Sequence, residues 1–302
     1  MQSQQQLNEK FAIDDQLHFE LNEEGIIIAK IANSHGTMSL STYGAHVLSY
    51  LPEGESEDVF FLSEQAHYGQ GKAIRGGIPV CWPWFAEDVL EQGKKPHGFA
   101  RNQQWHVIGA QAKQDGSTEI SLALGHTEAN LAVWPYEFEL VLQVVVGEAL
   151  QITLTTKNLS QKPFTITQAL HTYLNVSDIH DIEINGFDGL RYLDKLTEFS
   201  EKSQQGTVTV SGEIDRVYLK PPATVTLSDV AFNRDIVMTS TGNKTVVVWN
   251  PGPETVRSLS DIAPEAYKDF ICIETANAVI DQVTVEAGQQ HSLTAAFQVK
   301  KS

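Results

Sequence analysis

Two side chains in this sequence stand where proton transfer could occur. In TITQALHTYLNV, residues 165–176, an alternating strand would put His171 on one face with Thr167, Ala169, Tyr173 and Asn175, because successive side chains of a strand point to opposite faces. An imidazole beside a tyrosine and an asparagine that could hold its tautomer reads either as a structural hydrogen-bonder or as an acid–base group. In DFICIETAN, residues 269–277, apolar residues fill both faces from Phe270 to Ile273 and then a carboxylate, Glu274, follows. Burying an unpaired charge is costly. Glu274 is therefore either half of a buried ion pair or network, or a general base tuned by its surroundings. The pattern leaves both readings open.

Two cations suggest recognition. RGGIPVCWPWF, residues 75–85, and HGFAR, residues 97–101, each set one arginine among glycine, proline and aromatic residues. Arg75 and Arg101 in such settings satisfy either a carboxylate or carbonyls of the protein, or an oxyanion ligand. A guanidinium offers a planar fork of donors that meets phosphate bidentately. Gly76, Gly77 and Gly98 leave room for a ligand near the backbone. Two arginines of this kind in one region favour the ligand, and Trp82, Trp84 and Phe85 could offer it apolar ring faces.

Short β-like runs, separated by Gly, Asn, Asp and Pro, must position these groups. They fall at 25–32, 37–51, 120–125, 136–146, 150–158, 164–176, 207–210, 224–227, 235–240, 245–249, 270–274 and 292–299. Many alternate with period 2. Nothing sustains a 3.6-residue period, and strands do not alternate with helices, which argues against a TIM barrel or doubly wound fold. No linker or repeat divides the chain. The expectation is all-β: one large antiparallel β-sandwich over residues 1–302 with few short helices. Residues 62–101 form the longest irregular segment, rich in aromatic residues, and read as a site.

Lys+Arg 21 against Asp+Glu 38 gives a net charge of −17. That sign repels phosphodiester backbones and anionic lipid, so neither nucleic acid nor a membrane surface is an expected partner. No apolar run approaches the roughly 20 residues that span a bilayer, and MQSQQQLNEKFAIDDQ lacks the basic start and apolar core of a signal peptide. Cys81 and Cys272 make no disulfide framework and read as buried small hydrophobes. A soluble cytoplasmic protein, monomeric or weakly dimeric, is the expectation. The ten histidines have no ligand-like spacing, a P-loop is missing its hydroxyl because position 73 is alanine, and no nucleophile elbow is present. A metal site gathered from distant histidines and a glycosidase-type carboxylate pair remain as weaker alternatives.

AIRGGIPVCWPWF, KPHGFARNQQW, ALHTYLNVSDI, DRVYL, VVVWNPGP and FICIETA occur in that order between about residues 73 and 276, after an opening with YGAH at residues 43–46. Together they resemble the aldose 1-epimerase (galactose mutarotase-like) superfamily, and within it most closely the glucose-6-phosphate 1-epimerases. The resemblance implies an antiparallel β-supersandwich and an isomerase that interconverts the α and β anomers of a hexose 6-phosphate without a metal or other cofactor. It assigns His171 as general acid and Glu274 as general base, with Arg75, His97, Arg101 and Asp215 binding substrate. One departure is visible: some relatives carry a substrate-contacting glutamine where this chain has Pro96, which has no side-chain donor. An aldose 1-epimerase for free sugars and a non-catalytic sugar-phosphate-binding module are the competing functions.

Overall fold

The computed structural model describes residues 2–69, 71–86 and 95–301. Residue 70 and residues 87–94 of the irregular segment 62–101 lie outside the described residues. Two eight-stranded sheets dominate, and all their named strand pairings are antiparallel. A four-stranded meander is formed by Leu17–Leu21, Ile27–Asn33, Gly36–Ser41 and His46–Pro52.

The alternation in the sequence explains the second large sheet. Phe138–Val146 buries Phe138, Leu140, Leu142, Val144 and Val146, while the residues between them are partly exposed. Its partner Leu150–Asn158 repeats the pattern. Each side chain so buried contributes about 1.5–3 kcal/mol. This sheet runs from Ile182–Asn185 through Thr224–Asp229, Arg234–Thr241, Gln290–Lys301, Leu150–Asn158, Phe138–Val146 and Thr118–Gly125 to His106–Ala112.

The first large sheet is the one that builds the site. Its central strands are Ile214–Leu219, Thr245–Asn250 and Phe270–Asn277, followed by Gln168–Leu170 and Val80–Cys81. Ile271, Ile273, Val246, Val248 and Tyr218 join the main core, which they share with the second sheet. The alternate residues Asp215, Val217, Val247, Trp249, Cys272 and Glu274 take the opposite face, which is covered in turn. Every residue of Phe270–Asn277 is therefore buried. Burial on both faces produces a run without alternation.

Three expected runs differ in the structure. Residues 37–51 divide into two strands at a turn where Gly44 and Ala45 both take positive φ. Residues 207–210 form no strand, and Val208 makes only an isolated bridge to Ile184. Residues 164–176 divide into Phe164–Ile166, Gln168–Leu170 and Tyr173–Asn175. The last break matters most, because it sets His171 at the end of one strand rather than inside a long one. At the N-terminus, Gln4–Phe11 is a helix closed by a reciprocal Ser3–Gln6 capping box. Among the described residues no helix is long and apolar enough to cross a membrane.

Candidate active site

One cavity of about 300 Å3 gathers Arg75, His97, Arg101, His171, Asp215 and Glu274. Three of its walls follow from strand register. Asp215 lies opposite Trp249 and Val247 opposite Glu274, so alternate residues of three neighbouring strands line one side of the cavity. His171 enters from the strand break, its backbone N–H donating to the Pro79 carbonyl at 3.0 Å.

His171 Nε2 lies 3.5 Å from Glu274 Oε1. The imidazole stacks on Tyr173 at 4.9 Å between centroids and 9° between planes. Burial pushes the Glu274 carboxyl well above the usual carboxylate range, and the nearby Asp215 adds to this. Burial also holds His171 well below the ordinary histidine value, with His97, Arg101 and Arg75 contributing. Glu274 Oε2 and His171 Nδ1 are buried without a hydrogen-bond partner among the described residues. Desolvation thus favours an uncharged carboxylic acid beside an uncharged imidazole.

His97 is held in the left-handed region at φ 64°, and its N–H donates to the Ala86 carbonyl at 2.9 Å. Its Nδ1 accepts from the Ala86 N–H at 3.3 Å. Burial, followed by the charges of Arg101, Lys195 and Arg75, lowers its pKa to about 3. A neutral ring whose Nδ1 accepts must carry its hydrogen on Nε2. His97 is therefore a fixed hydrogen-bond donor.

The arginines differ in what they already hold. Arg75 Nε donates to Asp261 Oδ1 at 3.1 Å, and its Nη1 donates to the Tyr173 hydroxyl at 2.9 Å. Arg101 Nη2 donates to the Pro96 carbonyl at 2.9 Å, while its buried Nε has no partner among the described residues. Pro96, which lacks a side-chain donor, thus contributes through its backbone. Both arginines and Tyr173 also line an adjoining pocket of about 230 Å3 that contains Lys72, His67 and Ser260. Asp215 accepts from Lys195 Nζ at 2.7 Å, and burial raises its carboxyl against the opposing effect of Lys195.

The sequence reading missed Lys195, Asp261 and Trp249. Lys195 sits in the short turn Lys195–Thr197 and Asp261 in a loop, and neither has a periodic setting that marks it. Two assignments of supporting residues are corrected. Asn175 is not beside His171: it lies opposite Phe270, further along the same face, and its amide donates to the Asp58 carbonyl. Trp82 is fully buried in the core, where it packs on Phe99, Trp134 and Phe138. Of the three aromatic residues expected to face a ligand, only Phe85 lines the cavity, where Trp249 is a further aromatic lining residue.

This architecture and its cavity define a β-supersandwich of the galactose mutarotase type. A galactose mutarotase-like protein from Clostridium acetobutylicum shares the fold, with a TM-score of 0.75, 15% identity, and coverage of 95% of this chain and 98% of that one. The aldose 1-epimerase family model matches residues 28–298, and the chain belongs to that family of isomerases. A crystal structure from Salmonella typhimurium, provisionally named a mutarotase, superposes with a TM-score of 0.88 at 32% identity, covering 97% of this chain and 96% of that one. A protein of Escherichia coli K12 provisionally named glucose-6-phosphate 1-epimerase is 38% identical over 254 residues, 84% of each chain.

Proposed function

We propose that this protein interconverts the α and β anomers of a hexose 6-phosphate, with glucose 6-phosphate the foremost candidate. The observation that carries the phosphosugar reading is the charge of the cavity in a protein of net charge −17. Its described lining holds Arg75, Arg101 and Lys195 against Asp215 and Glu274, and Glu274 tends towards its neutral form. Charges farther away than a Debye length of about 8 Å are largely screened at physiological salt, so the local cations govern a bound dianion. Asp261 already neutralises Arg75 in part, which leaves Arg101 as the stronger phosphate ligand.

Ring opening takes the proton from the anomeric hydroxyl and gives one to the ring oxygen. Glu274 as base and His171 as acid perform both transfers, each worth about 10²–10⁴ in rate. The step converts carboxylate plus imidazolium into carboxylic acid plus imidazole, and the proton count of the pair is unchanged. That product is the form the buried surroundings favour, so desolvation stabilises the dyad while the open-chain aldehyde is bound. Rotation about the first carbon–carbon bond and reversal of both transfers then close the ring as the other anomer. His97 donates to a sugar oxygen through Nε2–H, and Asp215 accepts from a hydroxyl in place of Lys195.

Saturation-transfer NMR of anomer exchange tests the reading. The expected result is faster exchange of glucose 6-phosphate than of glucose, with Arg101→Ala raising KM for the phosphosugar far more than for the free sugar. Faster exchange of glucose would favour an aldose 1-epimerase for free sugars. Binding without exchange above the spontaneous rate would leave a sugar-phosphate-binding module.

A further inference from the structure

Cys272 is not used in the proton transfers, yet it lies on the same strand face as Glu274, two residues away. One donor atom from each of His171, Cys272 and Glu274 lies within 4.8 Å of the others, and all three residues are buried. The geometry points to a second use of this cluster: an inhibitory site for a thiophilic divalent cation, Zn2+ or an ion of its class, that closes on the proton-transfer pair.

The donor set is one that zinc takes, namely thiolate, imidazole and carboxylate, with bonds of about 2.0–2.3 Å. Tetrahedral coordination at those lengths needs donors about 3.3–3.6 Å apart. His171 Nε2 and Glu274 Oε1 already stand 3.5 Å apart, so only a modest approach of the Cys272 sulfur is required. Charge balance favours the same ion. Zn2+ with one thiolate and one carboxylate is neutral as a unit, which suits a site where an uncompensated charge is costly. The second carboxylate oxygen of Glu274 lacks a partner and is left able to take a hydrogen bond from bound water. Three protein ligands leave a fourth position open, and two of them, His171 and Glu274, line the cavity.

Binding releases the thiol proton of Cys272, and that of Glu274 where it is held, to solvent. The Zn–S and Zn–O bonds form without oxidation or reduction. The charged and titratable neighbours are Asp215, Lys195 and Arg101 around Glu274, Arg75 and Cys81 around Cys272, and His97 beside His171. The bound ion occupies the lone pairs the reaction needs, so it competes with substrate. The inhibition rests on the dyad's proposed catalytic role, while the binding does not.

The test uses the full chain freed of metal with a chelator. Co2+ replaces Zn2+ as a spectroscopic probe, and anomer exchange is followed as Zn2+ is added. Expected results are a thiolate-to-Co2+ charge-transfer band, inhibition competitive with glucose 6-phosphate and reversed by chelator, and no inhibition by Mg2+. Cys272→Ala should retain metal-free exchange, lose the Co2+ band and weaken Zn2+ inhibition at least about tenfold. Absence of the band in the wild-type protein overturns the proposal, as does unchanged Zn2+ sensitivity in Cys272→Ala or equal inhibition by Mg2+. Should Cys272→Ala fail to fold, the band in the wild-type protein decides. A protein that shows the band but never exchanges anomers keeps the metal site and loses the catalytic reading.

Discussion

At the scale of single residues, the roles proposed for His171 and Glu274 make activity depend on one shared proton. The reactive pair carries one titrating proton in either of its forms. A second proton blocks the base at low pH, and loss of the only one removes the acid at high pH. Burial lowers His171 from 6.5 and raises Glu274 from 4.5, so among the single-proton forms the weight moves towards carboxylic acid beside neutral imidazole. We expect kcat/KM, corrected for the phosphate ionisation near about pH 6, to be bell-shaped with an acid limb below the ordinary histidine value. Both apparent pKa values belong to the pair rather than to either residue. Glu274→Gln should reduce kcat/KM about 10²–10⁴-fold and abolish the acid limb, which reports protonation of the base. A profile indifferent to pH, or a fully active Glu274→Gln, would remove the dyad from the chemistry.

At the scale of elements, the loop that carries His97 and Arg101 is tied to the edge of the first sheet by backbone contacts that only glycine permits. Gly98 has φ 70°, and a Cβ there would come within 1.9 Å of the Trp82 carbonyl oxygen. The same carbonyl accepts from the Phe99 N–H at 2.9 Å, and Trp82 fills the core beneath it. Gly98→Ala must therefore combine left-handed strain of about 1–3 kcal/mol with displacement of the loop. The expected outcome is a stability loss of at least about 2 kcal/mol by denaturant unfolding, together with a higher KM for the phosphosugar. Wild-type stability and KM in this variant would show that the loop does not depend on the close approach.

At the scale of the whole molecule, a charge of −17 opposes compaction through self-repulsion. Raising NaCl from about 10 mM to 150 mM shortens the Debye length from about 30 Å to about 8 Å. The melting temperature should therefore rise over that range, as scanning calorimetry would record. A fall would mean that the attractive pairs, such as Lys202–Asp194 at 2.6 Å and Arg75–Asp261, outweigh the general repulsion. Single exposed pairs are worth about 0–1 kcal/mol, which is why repulsion is expected to dominate.

The alternation of 138–146 and 150–158 reported half-buried strands directly, because burial on one face leaves a period of 2 in the sequence. The unbroken apolar run before Glu274 reported a strand buried on both faces, and the ordered motifs around Arg75, His97, Arg101 and His171 identified the family. These are local signals, or signals carried by residue order. Tertiary structure alone decided the breaks at 42–45 and 171–172, since the turn conformations there serve contacts distant in sequence. It alone brought Lys195 to Asp215 and Asp261 to Arg75, because loops and single turns leave no periodic trace of their partners. It also sent Trp82 into the core while Trp249 reached the cavity, since the face a side chain takes is set by its strand's neighbours. Cys272 illustrates the difference most clearly. In the sequence it is one more apolar residue in FICIETA, and only the packing of two strands around it places its sulfur beside both members of the dyad.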